Sequence, residues 1–320
     1  MIFQLSNIFG QADGLVCLKT TVLMHVLTSR NLYGNPHLIS HLLPKSHTID
    51  KAGVASVMEA SVRLLESDHT GTGAAHGDIY LSFVPDEEIG LLGVRTMDMA
   101  RFPVDYAYTL DSCELGEIVE ATFNAAHAHI EITGVTAHPM NAKGNLLNPI
   151  LLAQDFIAQL DHTQTPENTE GREGYLRVNG SSGNQARATL DISIRDHDRT
   201  GYEAKKDLLR SIAEKLADTN PRATITLDIT DVYSNIEDAK TPDNQQATDR
   251  LLATMKSLGV EPLPLAMRGG TDGSWLSAQG IFTPNFFTGA HNFHSIYEFL
   301  PMPSFEKSCL MVQELMKHEG

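Results

Sequence analysis

From Asp50 onward the chain reads as a regular alternation of apolar and polar positions, whereas the first fifty residues show no sustained period. Val54, Val57, Met58, Val62 and Leu65 recur at helical intervals behind Asp50, which predicts an amphipathic helix capped by that aspartate. Residues 78–84 (DIYLSFV) and 105–110 (DYAYTL) predict strands, the first running into Pro85-Asp86-Glu87-Glu88 and the second into Asp111. Acidic side chains thus fall just past two strand ends, where α/β sheets place their ligand sites.

Between about residues 120 and 230 the rhythm predicts strand 125–133, helix 149–160, strand 187–195, helix 202–217 and strand 223–229. Asn148 before Pro149 is a helix start, and Leu190, Ile192 and Ile194 alternate with Asp191, Ser193 and Arg195 as a half-buried strand requires. That order predicts a ferredoxin-like α+β unit. Beyond it come a helix near 243–258, the strand LPLAM, the loop RGGTDG, the strand NFFTG and a final helix ending near Lys317. The expected fold class is therefore α/β: a discontinuous larger domain (1–119 and 233–320, with 1–50 atypical) interrupted by a smaller one (120–232).

Composition narrows the partners. At 320 residues and 42% hydrophobic content the chain can bury a substantial core, enough for two domains. A formal charge of -16, from 24 basic and 40 acidic residues, argues against nucleic-acid or anionic-membrane surfaces, which call for a basic excess. Cys17, Cys113 and Cys309 are odd in number and widely spaced, so they read as reduced, buried thiols and not as a disulfide framework or a thiolate zinc site. Residues 1–26 lack a basic segment before a continuous apolar run, and no stretch is long enough to span a membrane. A soluble cytoplasmic protein with a small-molecule, peptide or metal partner is expected.

The candidate chemistry lies in the acids and in one histidine. Adjacent carboxylates after a strand, Glu87 and Glu88, can point in different directions, so that one holds a metal while its neighbour moves protons; alone, such a pair is ordinarily a solvated loop. Asp111 adds an oxygen donor and His294, in HNFHS, an imidazole. Oxygen and nitrogen donors without thiolate suit zinc, with manganese or cobalt as substitutes. Arg268, in RGGTDG, and Arg195, in IRD, offer guanidinium forks for a carboxylate, and the backbone N–H groups of Gly269 and Gly270 add donors. The alternative for each arginine is a structural ion pair, with Asp272 or Asp196. His127, His129 and Glu131 share one face of a strand, but Ala128, Ile130 and Ile132 fill the other, so the trio reads as the wet side of a half-buried strand and not as a ligand cluster.

Taken in order, FVPDEEIG, AYTLD, HIEITGVTAHP, NAKG, TEGREG, IRDHDR, RGGTDG and NFFTGAHNFHSIYEF resemble the peptidase T family, the tripeptide aminopeptidases among the di-zinc exopeptidases. The resemblance runs from about Asp50 to the end of the chain. It implies a zinc-exopeptidase-like α/β catalytic domain interrupted by a ferredoxin-like α+β lid and dimerisation domain. It also implies a homodimeric hydrolase that releases the N-terminal residue of tripeptides with two bridged zinc ions per subunit. Carried over one residue at a time, Glu87 resembles the general base for the metal-bridging water, Glu88 and His294 ligands of one zinc, and Asp111 a ligand of the other. His138, in Thr136-Ala137-His138-Pro139, resembles the lid histidine that stabilises the tetrahedral oxyanion.

Before Asp50 the resemblance fails. The family's His-x-Asp-Thr segment is absent, and its bridging aspartate is Ile49 in His47-Thr48-Ile49-Asp50-Lys51-Ala52-Gly53. Asp50 matches the neighbouring aspartate, and reaches a metal only if the backbone shifts by one residue. Ile296 stands where the family has lysine, which removes a polar substrate contact. Either a truncated or frame-shifted N-terminus or genuine divergence accounts for the segment, and the first strands of the catalytic sheet are expected to be missing, leaving exposed apolar surface and an open strand edge. On this reading the chain holds one zinc or none and has little tripeptidase activity. Two other readings stand beside it: a catalytically impaired relative kept as a dimerising scaffold, and a single-metal amidohydrolase.

Overall fold

The computed structural model describes residues 21–27 and 49–317 apart from 72, 74, 75 and 89; for 21–27, 49 and 50 it describes the backbone alone. The chain divides into two compact units, one made of residues 1–120, 239–265 and 271–320 and the other of 121–238 and 266–270.

The first unit is built on a six-stranded mixed sheet in the order β2-β1-β3-β10-β4-β9. Its strands are β1 (Thr21–Leu27), β2 (Asp78–Val84), β3 (Tyr108–Ser112), β4 (Glu117–Thr122), β9 (Leu263–Met267) and β10 (Asn285–Phe287). The segment with no legible period thus contributes β1, which lies between β2 and β3 and is antiparallel to both. The expected absence of early strands is corrected to that extent. Among the described residues β2 is the last strand of the sheet, and its Leu81 and Phe83 are 38% and 43% exposed. Helix α1 spans Ile49–His69, so the backbone of Asp50 lies within its first described turn instead of at a cap position.

Close packing of α1 requires Gly53, because a Cβ there would stand 2.8 Å from the carbonyl oxygen of Leu110 in β3. Its Val57, Ala60 and Leu64 are buried, and so are Met311, Val312 and Leu315 of α6 (Met302–Met316). The two helices meet through buried hydroxyls, Ser56 Oγ donating to Ser308 Oγ at 3.2 Å. Helices α4 (Gln246–Ser257) and α5 (Asp272–Ala278) complete this unit.

The second unit is β5 (Asn124–Thr133), α2 (Pro149–Ile157), β6 (Tyr175–Gly183), β7 (Arg187–Asp196), α3 (Arg199–Thr219) and β8 (Thr224–Tyr233), with antiparallel sheet order β6-β7-β5-β8. This is the ferredoxin-like arrangement. Period-two patterning decides its inside: Ala126, Ala128, Ile130 and Ile132 of β5 and Ala188, Leu190, Ile192 and Ile194 of β7 are buried with Phe156, Tyr202, Leu209 and Ile212 of the helices. The unit reaches further than the pattern predicts. Asn235 binds it by accepting from Thr122 N at 2.8 Å and donating to His197 O at 3.0 Å, while residues 266–270 join it through His197 Nε2 on Met267 O and Phe123 N on Gly269 O. These long-range polar contacts leave no periodic trace.

Candidate active site

The sheet directions bring the predicted acids to one edge. β2 and β3 are each antiparallel to β1, and β10 is parallel to β3, so β2, β3 and β10 all end on the same side of the sheet. Glu87 and Glu88 follow β2, Asp111 lies near the end of β3, and His294 follows β10. Carboxyl ends of parallel strands are where α/β sheets hold ligands.

Each loop is held by specific bonds. Past β2 the chain makes a tight reversal in which Gly90 N and Leu91 N both donate to Glu87 O and Leu92 N donates to Asp86 O, with Leu91 buried as its anchor. Gly93 closes the reversal, since a Cβ there would lie 1.9 Å from Pro85 O. Gly93→Ala is therefore expected to spread this loop and to cost about 1–3 kcal/mol, the usual penalty of overpacking; a thermal scan showing an unchanged Tm would mean that the approach is not required. At the end of β3, Asp111 N donates to Asn285 Oδ1 at 2.8 Å, Thr288 N to Ser112 O, and Gly289 N to Cys113 O, which pins β3 and β10 together.

Among the described residues other than glycine, positive φ occurs at Asp86 (63°), Leu91 (59°), Asn292 (56°) and His294 (63°). All four lie in the two loops that carry Glu87, Glu88 and His294. Left-handed backbone at such residues costs energy and persists where packing and hydrogen bonds impose it, commonly at functional loops. The two loops also meet: His294 Nε2 is 3.3 Å from Glu88 Oε1, with both side chains about half exposed.

The surrounding field is negative. Ser112 Oγ and Cys113 N donate to Glu117 Oε2 at 2.6 and 2.7 Å, and Glu114 Oε1 lies 3.4 Å from His291 Nδ1. Burial, and then Glu117, Asp111, Glu114 and Glu298, push the Cys113 thiol up to about 12. A carboxylate-rich edge of this kind favours cations. It also makes a prediction: raised from 9.0 to about 12, Cys113 has roughly three orders of magnitude less thiolate at neutral pH than an ordinary cysteine. Peptide mapping after brief iodoacetamide treatment at pH 8 should find Cys113 essentially unmodified; rapid alkylation would contradict the field described here. Asn285 as the partner of Asp111 N, and Glu117 as the partner of Ser112 and Cys113, are not legible in the sequence, because nothing in local spacing marks a carboxylate or amide that bonds across strands.

The fit to a metal is partial. A carboxylate oxygen and an imidazole nitrogen 3.3 Å apart can both reach one ion at the usual zinc distances of about 2.0–2.2 Å. Among the described residues, however, no group of three or more His, Cys, Asp or Glu is arranged to hold a metal ion. Glu88 and His294 therefore offer two donors to one ion, and the described residues do not complete a two-metal site. The Asp50 and Ile49 side chains and all of His47 lie outside what is described.

The remaining candidates belong to the second unit. His138 is exposed; its Nδ1 accepts from Met140 N at 3.2 Å, capping the short turn Pro139–Asn141. With Nδ1 accepting, the proton of a neutral ring sits on Nε2, which makes that nitrogen a donor. Arg268 donates to the carbonyls of Gly171 and Glu173 and to Thr169 Oγ1, and its guanidinium lies 5.2 and 5.5 Å from the ring centres of Phe123 and Tyr175. Arg195 Nη1 donates to Ala126 O and Ile194 O, and the guanidinium lies 5.7 Å from the Tyr233 ring centre. Both arginines thus bind backbone carbonyls and aromatic faces of their own unit. The carboxylate partners offered as alternatives are engaged otherwise in one case: Asp196 pairs with Lys205 at 2.6 Å. Gly270 packs against Tyr233, whose ring a Cβ would meet at 2.5 Å. His127 and His129 approach Asp191 at 3.4 and 2.8 Å, and Glu131 forms an ion pair with Arg187, so that trio makes cross-strand polar contacts on the wet face.

Comparison with known proteins agrees with this architecture. Residues 121–224 match the model of the peptidase dimerisation domain. The chain is 50% identical over 259 residues to a peptidase T-like protein of Yersinia pestis, covering 81% of this chain and 62% of that one. It is 39% identical over 268 residues to peptidase T of a Geobacillus species, covering 84% and 64%. Over the matched residues the chain is similar to peptidase T and peptidase T-like proteins. It spans less than two thirds of the length of these curated relatives. In fold, the chain is similar to the aminopeptidase PepT of Bacillus cereus (TM-score 0.70, 23% identity, 83% of this chain and 70% of that). A tripeptidase of Staphylococcus aureus (TM-score 0.71, 20% identity, 84% and 70%) and a dinuclear metal-binding peptidase of Bacillus subtilis (TM-score 0.60, 14% identity, 83% and 71%) share it too. Among the described residues no helix is long and apolar enough to cross a membrane.

Proposed function

We propose that the chain derives from, and retains the framework of, a metal-dependent aminopeptidase that removes the N-terminal residue of tripeptides. The observation that carries the reading is the convergence of two strained loops at one sheet edge, where His294 meets Glu88 beside Glu87. The family supplies the reaction class, and the neighbouring tripeptidase and dinuclear peptidase favour small peptides and metal.

Glu88 and His294 would hold one divalent cation, with zinc the expected metal for an oxygen and nitrogen donor pair. Such a cation, when bound, polarises the scissile carbonyl and acidifies water. The Glu87 carboxylate takes a proton from water and delivers it to the departing amine nitrogen. Asp111 adds negative charge at the same edge, and His138 Nε2–H is the donor proposed for the oxyanion. For Arg268 and Arg195 the carboxylate-binding role rests on whichever N–H groups their carbonyl contacts leave available, as it does for the backbone N–H groups of Gly269 and Gly270. The dimerisation domain supports a homodimer.

The test is a substrate panel. Purified chain with added zinc, given tripeptides, dipeptides and N-acyl amino acids, should hydrolyse tripeptides and release the first residue. Cleavage confined to N-acyl amino acids would favour the amidohydrolase reading, and no cleavage together with no metal uptake would favour the scaffold.

A further inference from the structure

β8 breaks its own alternation close to its end. Ile225, Leu227 and Ile229 pack against the buried core of the second unit, and Asp231, paired with Ala126, continues on that side. A strict period of two would turn Tyr233 the same way. Instead the ladder with β5 shifts register: Asp231 pairs with Ala126 and Tyr233 with Ala125, so β8 advances two residues while β5 advances one, and Val232 is the extra residue of a β-bulge. Ala125 lies on the face of β5 that carries His127 and His129, and Arg195 of β7 pairs with it from the other side. The bulge therefore turns the Tyr233 ring away from the helices and onto the opposite face of the sheet, where the Arg195 guanidinium lies 5.7 Å from its centre.

Both sides of the bulge are anchored. Asp231 accepts from the Tyr202 hydroxyl and from Lys206 Nζ at 3.0 Å, and Tyr202 and Lys206 are both buried on α3. On the other side the ring lies against Gly270, where a Cβ would stand 2.5, 2.6 and 2.8 Å from Cζ, Cε2 and Cε1 of Tyr233. Gly270 is not in the left-handed region, so the ring and not the backbone angle excludes a side chain there. Phe123 N on Gly269 O, and Arg268 on the carbonyls of Gly171 and Glu173, hold the two residues before it.

We propose that Tyr233 is a positioning residue for Arg268–Gly270, its ring serving, once the bulge has turned it over, as the platform that fixes the Gly269 and Gly270 backbone N–H groups for a peptide carboxylate. The carboxylate role rests on the peptidase reading above; the platform does not. A flat ring packed against a glycine leaves the backbone one close-packed position, and donors fixed beforehand lose little freedom when an anion arrives. Asp231, Lys206 and Tyr202 act one step further back, by holding the bulge.

Hydrogen exchange over residues 266–270 tests the platform, and tripeptide kinetics of the zinc-supplemented chain test its use. Tyr233→Ala should speed exchange there about tenfold, the scale of one lost aromatic contact, while Tyr233→Phe should stay within about twofold of the parent. Gly270→Ala reaches the same contact from the other side. Alone it should also speed exchange, because the methyl displaces the ring; added to Tyr233→Ala it should change nothing further, because the space is then empty. For tri-alanine, Tyr233→Ala should raise KM about tenfold with kcat within about twofold, and Tyr233→Phe should keep the parent KM. Tri-alanine amide, which lacks the carboxylate, should show no difference between the parent and Tyr233→Ala. An unchanged exchange rate in Tyr233→Ala, or additive effects in the double variant, would overturn the platform. A fall in kcat at constant KM, or an equal loss with the amide, would overturn the carboxylate role. The expected exchange pattern in a chain that neither binds nor cleaves tri-alanine would remove the peptidase reading, and the carboxylate with it, and support the positioning role of Tyr233.

Discussion

Glu87→Gln is expected to reduce tripeptide turnover by roughly 10²–10⁴-fold, the usual worth of a positioned general base, while leaving metal content unchanged. The amide is nearly isosteric with the carboxylate but cannot accept the proton that must leave water. Glu88→Gln should behave differently. It removes the anionic oxygen that lies 3.3 Å from His294 Nε2, so metal content should fall together with activity. Backbone geometry favours a clean comparison, because the reversal is braced through the Glu87 carbonyl and buried Leu91, and neither substitution touches those contacts. Elemental analysis beside a tripeptide assay reads both variants. Full activity in Glu87→Gln would remove the general-base role, and full metal content in Glu88→Gln would remove the ligand role.

The second large effect concerns metal stoichiometry. The chain as it stands is expected to retain one zinc or fewer per subunit after dialysis. The described residues join only Glu88 and His294, and Ile49 supplies no negative charge where the family pattern has a bridging aspartate. Two divalent cations a few ångströms apart repel strongly, and a shared carboxylate offsets part of that repulsion. Ile49→Asp, combined with a family-type His-x-Asp segment in place of residues 28–48, should raise the content toward two and increase tripeptidase activity above that of the parent chain. Two zinc ions in the unmodified chain would show that residues before Asp50 supply ligands after all, and the replacement should then add nothing.

Much of the architecture was legible because it is local or periodic. The alternation of Leu190, Ile192 and Ile194 with Asp191, Ser193 and Arg195 gave β7 its buried face, and Asn148-Pro149 placed the start of α2, where Asn148 Oδ1 does accept from Ile150 N. The same logic correctly kept His127, His129 and Glu131 on the wet face. Strand β6 was missed because its burial barely alternates and its ladder shifts register between Val178 and Gly180. Strand β4 was missed because Ile118, Val119, Ala121 and Thr122 are all buried, which erases a period of two. β1 lies in a segment with no readable period at all.

For the site, the sequence by itself determined the inventory and its order: paired acids after one strand, an aspartate after the next, a histidine near the far end, and a family pattern linking them. It also determined the inner face of the second unit, since period-two burial is written residue by residue. Only the tertiary structure decided that three strand ends share one edge, because strand direction depends on pairing between segments far apart in the chain. It alone set Glu88 against His294 across 206 residues of sequence, and it alone committed Arg268 to Gly171, Glu173 and Thr169. A guanidinium binds whatever acceptor the fold presents, whether a substrate carboxylate or a backbone carbonyl, and its residue type is the same in both cases.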